Sequence, residues 1–185
     1  HANCAMCHHP GGNAIVSFYL KRDMPFEELR TGKGTGIGTF GMRNAKLIAP
    51  GDPYRSLVTY RMSKLGYSRM PYIGSQIVDS AGVALVSEWI RSLADDSGAS
   101  ASPPIVTDSI EAKALTTLDG VNSDERKSRD AAIRTLTQST EGALALLTRL
   151  HGGSVRGEDA VSAIAIGNES QDTNISGLFE TFVPE

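Results

Sequence analysis

Five of the ten residues from Gly32 to Gly41 are glycine, at positions 32, 34, 36, 38 and 41. Each glycine inside a helix costs about 1 kcal/mol relative to alanine, so this stretch reads as a loop. It is typical of the chain up to about Leu93, where turns and short helical patterns alternate. Asp52 can cap a helix, and Pro53 suits the first helical position because its missing N–H would be unpaired there anyway. A helix from about 53 to 64 follows, with Leu57, Tyr60 and Met62 or Lys64 at its turns. Pro25 to Arg30 reads as a shorter one. The clearest pattern begins at the capping residue Asp79: Val83, Val86, Trp89, Ile90 and Leu93 recur at three- and four-residue steps, an apolar stripe that must be covered.

Asp95 to Pro104 has too little apolar surface to fold and reads as a linker. Beyond it the pattern is helical throughout. Ser123-Asp124-Glu125 opens one helix with acids in its first turn and Ile133 and Leu136 on its buried side. Thr140-Glu141 opens another, with Leu144, Leu147 and Leu150 in register and Gly152-Gly153 at its end. Two more are expected at about 157–166 and 173–182. The fold class is therefore all-α, with boundaries at 1–94, 95–107 (linker) and 108–185 (helical spacer). Charge divides at the same place: residues 1–94 carry 11 Lys/Arg against 6 Asp/Glu, and 95–185 carry 7 against 15. No run approaches the roughly 18 apolar residues of a membrane span. The basic excess is modest and not interleaved with any motif, which argues against nucleic-acid binding. No Ser-His-Asp or paired-carboxylate arrangement stands out.

The chemistry lies in Cys4-Ala5-Met6-Cys7-His8. Two cysteines so close are too few for a disulfide framework. Cys-x-x-Cys-His is the attachment sequence of c-type haem: two thiols at this spacing reach the two vinyl groups on one porphyrin edge, forming thioethers, and the next residue places its imidazole under the iron. Other chemistries use the same residues. Cys4, Cys7, His8 and His9 could bind zinc, although structural zinc sites normally use two separated pairs. A thioredoxin-like dithiol needs a preceding strand and a following helix, and Pro10-Gly11-Gly12 follows here instead. The glycine run lacks the offset of a dinucleotide loop.

Low-spin electron-transfer cytochromes commonly pair histidine with methionine. Met6 lies inside the attachment loop, while Met42 and Met62 remain candidates. Of the two Met-Pro pairs, Met24-Pro25 and Met70-Pro71, the second is the better choice: it lies in an irregular segment between two helices, and proline restricts the residue before it to an extended conformation. Arg55, Arg61 and Arg69 are candidates to pair with haem propionates, and Tyr54, Tyr60, Tyr67 and Tyr72 to surround the ligand loop.

Attachment near the start, then Met-Pro, then a cap and the helix ending Glu88-Trp89-Ile90-Arg91-Ser92-Leu93, resembles the small class I cytochrome c fold. Pro50-Gly51-Asp52-Pro53-Tyr54-Arg55-Ser56-Leu57, followed by Arg69-Met70-Pro71 and Val78-Asp79, resembles more closely the cytochrome c-like domains of large multidomain haem proteins from planctomycete-type bacteria. The resemblance covers roughly residues 3–93. It implies one haem c held by Cys4 and Cys7, iron ligation by His8 and Met70, and electron transfer in the periplasm with a redox partner protein or an adjacent dehydrogenase or haem domain. A class I cytochrome has a helix before the attachment motif, and only His1, Ala2 and Asn3 precede it here, so a fragment of a larger protein is expected. The segment Phe179 to Glu185 resembles, more faintly, a spacer leading to another haem domain. Two further functions stay open: a peroxidase-like enzyme if Met70 does not bind, and a partner-docking helical module with a subsidiary haem.

Overall fold

The side chain of Asp52 organises the middle of the chain. Its Oδ1 accepts from the backbone N–H of Tyr54 and Arg55, at 2.9 and 3.1 Å, capping a 3-10 turn over Pro53–Arg55, and its Oδ2 accepts from Arg55 Nε at 2.7 Å. Ser56 then breaks the expected continuous helix. Its backbone is extended and bridges to Lys46, while its buried hydroxyl donates to Asp52 O and accepts from Ala49 N–H. The α-helix proper, α1 (Leu57–Met62), starts only beyond this knot.

The computed structural model describes residues 3–33, 35–96, 110–120 and 126–182. Every regular element among them is helical, as the patterning requires: α1 is followed by α2 (Ser80–Asp96), α3 (Ile110–Asp119), α4 (Arg126–Leu136), α5 (Thr140–His151), α6 (Gly157–Asn168) and α7 (Thr173–Phe179). Phe26–Leu29 forms the expected short helix as a 3-10 turn. Asp79 caps α2 through the N–H of Gly82, at 2.9 Å; Val83 is buried, and Ile90 and Leu93 bury against Ile48 with Leu20, Phe26, Val58 and Val86 around them. Trp89, on the same stripe, remains 36% exposed with its edge to Phe26. Most of the expected linker, from Ser97, lies outside the described residues, as do Ser123-Asp124-Glu125 and Val183 to Glu185. Asp95 and Asp96 belong to α2.

Helices α3 to α7 stack as successive pairs. Helix α4 meets α3, α5 and α6, and α7 meets both α5 and α6, so each layer is continued two helices further along the chain. Ile133, Leu136, Leu144, Leu146 and Leu178 are fully buried between the layers. Gly167 is required by the contact of α6 with α7, because a Cβ there would lie 2.3 Å from the Phe179 ring.

The glycine-rich half does not stand apart from this stack. Met42, Ala45, Leu57 and Tyr60 belong to the same apolar core as the helices. Gly41, at φ +79°, lets the chain pass over the start of α5, where Thr140 Oγ1 donates to Phe40 O at 2.7 Å. Glu141 accepts from Arg43 N–H at 2.7 Å, and Arg43 Nη2 donates to Glu111 at 3.3 Å. Tyr60 donates its hydroxyl proton to Asn174 O at 3.0 Å. Burial and the nearby charges of Asp172 and Glu180 push that hydroxyl well above its ordinary pKa and so keep it a donor. The opposite net charges of the two halves thus meet at a contact of Arg43 with Glu111 and Glu141.

Candidate functional site

The segment from Cys4 to His8 forms one tight turn. Cys7 N–H and His8 N–H both donate to Cys4 O, at 3.2 and 2.9 Å, which turns Ala5 inward and leaves Cys4 half-buried and Cys7 exposed. Both thiols are free, and burial pushes that of Cys4 above its ordinary pKa. Among the described residues no three His, Cys, Asp or Glu side chains converge as a metal cage.

His8 is 8% exposed, and its ring lies over Phe18 with centroids 4.2 Å apart. Leu20 N–H donates to His8 O at 2.9 Å and Tyr19 N–H to Leu29 O at 2.8 Å, so residues 18–20 run between the turn and the 3-10 helix at Phe26–Leu29. Burial lowers the pKa of His8, the backbone of Phe18 pulls it partly back, and the charge of Arg61 lowers it further. The ring is therefore neutral at neutral pH, which is the form that ligates a metal. Its Nδ1 is buried without a partner in hydrogen-bonding geometry, a condition that costs about 1–3 kcal/mol in a core.

Met70 is half-buried in the irregular segment after α1. Arg61, in the last turn of α1, fixes that segment at two points: its carbonyl accepts from Met70 N–H at 2.8 Å, and its Nε donates to Ser68 O at 2.7 Å. Arg61 thus braces the segment carrying Met70, and its charge also bears on His8.

The other candidates separate clearly. Met42 is 2% exposed within the core shared with the helical stack, which removes it as a ligand for an open site. Met6 is exposed, whereas Met24 and Met62 are half-buried. Arg55 is occupied by Asp52, and Arg69 Nε by Ser75 at 3.0 Å with its guanidinium over Tyr72. Tyr60 and Tyr54 pack toward the helical stack, while Tyr67 and Tyr72 lie exposed. Phe18 was not foreshadowed by any sequence pattern, because a lone aromatic between turns carries no periodic signal.

Large apolar side chains are exposed on the loops of this half: Met6 within the Cys4–His8 turn and Ile15 after it, Ile37 in the glycine loop, and Tyr67, Tyr72, Ile73 and Ile77 before and after Met70 in the chain. The chain matches no family model, no curated protein and no solved structure.

Proposed function

We propose that the chain binds one haem c covalently through Cys4 and Cys7, with His8 and Met70 as the residues that would ligate its iron, and transfers single electrons. The observation that carries this reading is His8: a buried imidazole whose pKa burial lowers, directly after two free thiols on one turn. The exposed apolar residues on the loops that carry both ligands add to it, since a porphyrin face would cover such surface.

Bound there, the haem supplies a one-electron iron couple. The rest falls to the chain. Cys4 and Cys7 anchor the cofactor on a turn already closed by two hydrogen bonds onto Cys4 O. Phe18, tilted against His8, restrains the imidazole, and the neutral ring offers a lone pair without first losing a proton. Arg61 holds the backbone of Met70 against α1, so the thioether, a weak ligand, approaches from a preorganised segment. Methionine in that position raises the potential relative to a harder ligand. Attachment of haem c takes place outside the cytoplasm, so the reading assigns the protein to the periplasm, working with a redox partner protein or a neighbouring dehydrogenase or haem domain.

Spectroelectrochemical titration of protein carrying the haem tests the function. A single reversible one-electron transition with a low-spin spectrum in both oxidation states is expected. A high-spin ferric spectrum that shifts on adding peroxide contradicts electron transfer as the function.

A further inference from the structure

Helix α1 touches the helical stack through one residue and the Met70 segment through the next. Adjacent residues of a helix diverge by about 100°, so Tyr60 and Arg61 reach in two directions. Tyr60 is fully buried, stacked on Phe40 with centroids 5.0 Å apart, and donates its hydroxyl proton to Asn174 O in α7 at 3.0 Å. Arg61 accepts from Met70 N–H through its carbonyl at 2.8 Å and donates to Ser68 O at 2.7 Å. With six residues, α1 is too short to keep its shape unaided, and what it packs against sets its position.

The turn leaving α1 rests on α7 as well. Half-buried Lys64 has its Nζ 5.6 Å from the Tyr60 ring centroid, and a Cβ on Gly177 would lie 3.1 Å from that Nζ and 3.5 Å from Cε. The ammonium therefore lies against α7 at a residue with no side chain to exclude it. Gly66, at φ +66°, passes beside Glu180, just after α7: a Cβ there would lie 3.7 Å from Glu180 Oε2. Gly66 O in turn accepts from Arg69 N–H at 3.4 Å and from Arg69 Nη1 at 3.2 Å. The segment from Ser63 to Met70 is thus fixed to α1 and α7, while Tyr67, and Tyr72 and Ile73 just beyond, are exposed and supply no apolar anchor.

We propose that Tyr60 and Lys64 are positioning residues through which α7 of the helical stack places Met70 for the iron. This rests on the haem reading above and deepens it, by making the stack part of what holds the ligand. A thioether is a weak ligand, so the hold on the backbone that presents it decides how readily another ligand displaces it.

Two measurements on the full chain test this. Exchange of the Met70 amide proton reads the segment with or without haem, and the affinity of haem-loaded ferric protein for imidazole reads how firmly Met70 competes. Tyr60→Phe and Lys64→Met are each expected to raise both by about two- to tenfold, the equilibrium effect of one hydrogen bond or weak polar contact. Gly177→Ala separates positioning from stability. Alanine is the better helix former, so a merely structural role predicts equal or greater stability and no faster exchange, whereas the Cβ pressing on Lys64 is expected to give a smaller rise in both readings. Tyr60→Phe and Lys64→Met with the parent's Met70 exchange and imidazole affinity, the haem being attached, overturn the positioning role and leave the haem reading standing. Faster exchange with unchanged imidazole affinity overturns it too. A parent protein that takes up no haem overturns both.

Discussion

Residues 3–79 and 110–182 are of nearly equal length but satisfy their apolar side chains differently. The C-terminal stretch buries its large apolar residues between two layers of helices and leaves only Ile110 and Val161 exposed among those described. The N-terminal stretch leaves Met6, Ile15, Ile37, Tyr67, Tyr72, Ile73 and Ile77 on its surface, all on loops. Glycines and prolines prevent those loops from forming an apolar face of their own. The stack is completed by its own side chains; the loop-rich half is completed by its contact with that stack on one side and, on the proposed reading, by a porphyrin on the other.

Paired substitutions test this contrast most strongly where burial differs most. Ile133→Ala, at a fully buried position in α4, is expected to cost about 2–5 kcal/mol whether or not haem is attached. Ile73→Ala, at an 84% exposed position, is expected within about 0.5 kcal/mol in haem-free protein and to become measurably destabilising once haem is attached. Denaturant titrations of both forms check this, and equal costs at Ile73 in the two forms contradict coverage of that loop by the cofactor.

Two methionines sharpen the comparison within the N-terminal half. Met42→Ala is expected to lower stability by about 2–4 kcal/mol, since the side chain fills the shared core, and to leave the midpoint potential unchanged. Met70→Ala is expected to do the reverse: a modest stability change, a lowered potential, and an iron position open to added imidazole or cyanide. Potentiometry with ligand binding distinguishes them, and an unchanged potential in Met70→Ala moves the ligand role to Met24.

The halves meet through Arg43, which is largely exposed, and Glu141, which is 2% exposed. Removing one partner of a buried charge is costly, but the exposure of Arg43 screens the pair, so Arg43→Ala is expected to cost about 1–2 kcal/mol. Limited proteolysis is expected to release the helical stack faster in this variant. Identical cleavage rates would show that the apolar contacts, with the Thr140–Phe40 and Tyr60–Asn174 hydrogen bonds, hold the halves together without Arg43.

The smallest effect is that of pH. His151, at the end of α5 and tilted against Phe182, lies where the helix dipole favours a cation, yet burial lowers its pKa. As pH falls below the ordinary histidine value of about 6.5, the unfolded chain binds a proton that folded His151 resists, so stability declines. His8 adds the same effect in haem-free protein. His151→Gln is expected to flatten the profile of haem-loaded protein, and an unchanged slope would place the effect elsewhere.

Much of this architecture could be read from the chain. The Asp79 cap and its stripe gave α2, and leucine spacing gave α5. Both signals are local, set by hydrogen bonds and side-chain periodicity within a few turns. The break at Ser56 was not visible, because it depends on a hydroxyl bonded to Ala49 and on a bridge to Lys46. Nor was the docking of Met42 and Tyr60 against helices more than sixty residues later, since such contacts leave no mark in local periodicity. At the candidate site, the spacing of Cys4, Cys7 and His8 was legible for the same reason that α2 was. The packing of Phe18 against His8 and the hold of Arg61 on the backbone of Met70 required the folded chain.

The central claim is that a porphyrin is joined to Cys4 and Cys7. The most direct measurement is intact and peptide mass analysis, with a pyridine haemochrome spectrum, on protein produced in a host that carries haem-attachment machinery. The account predicts one haem mass on the peptide containing both cysteines, neither of them reactive toward an alkylating agent. A colourless protein in which both thiols alkylate would contradict it.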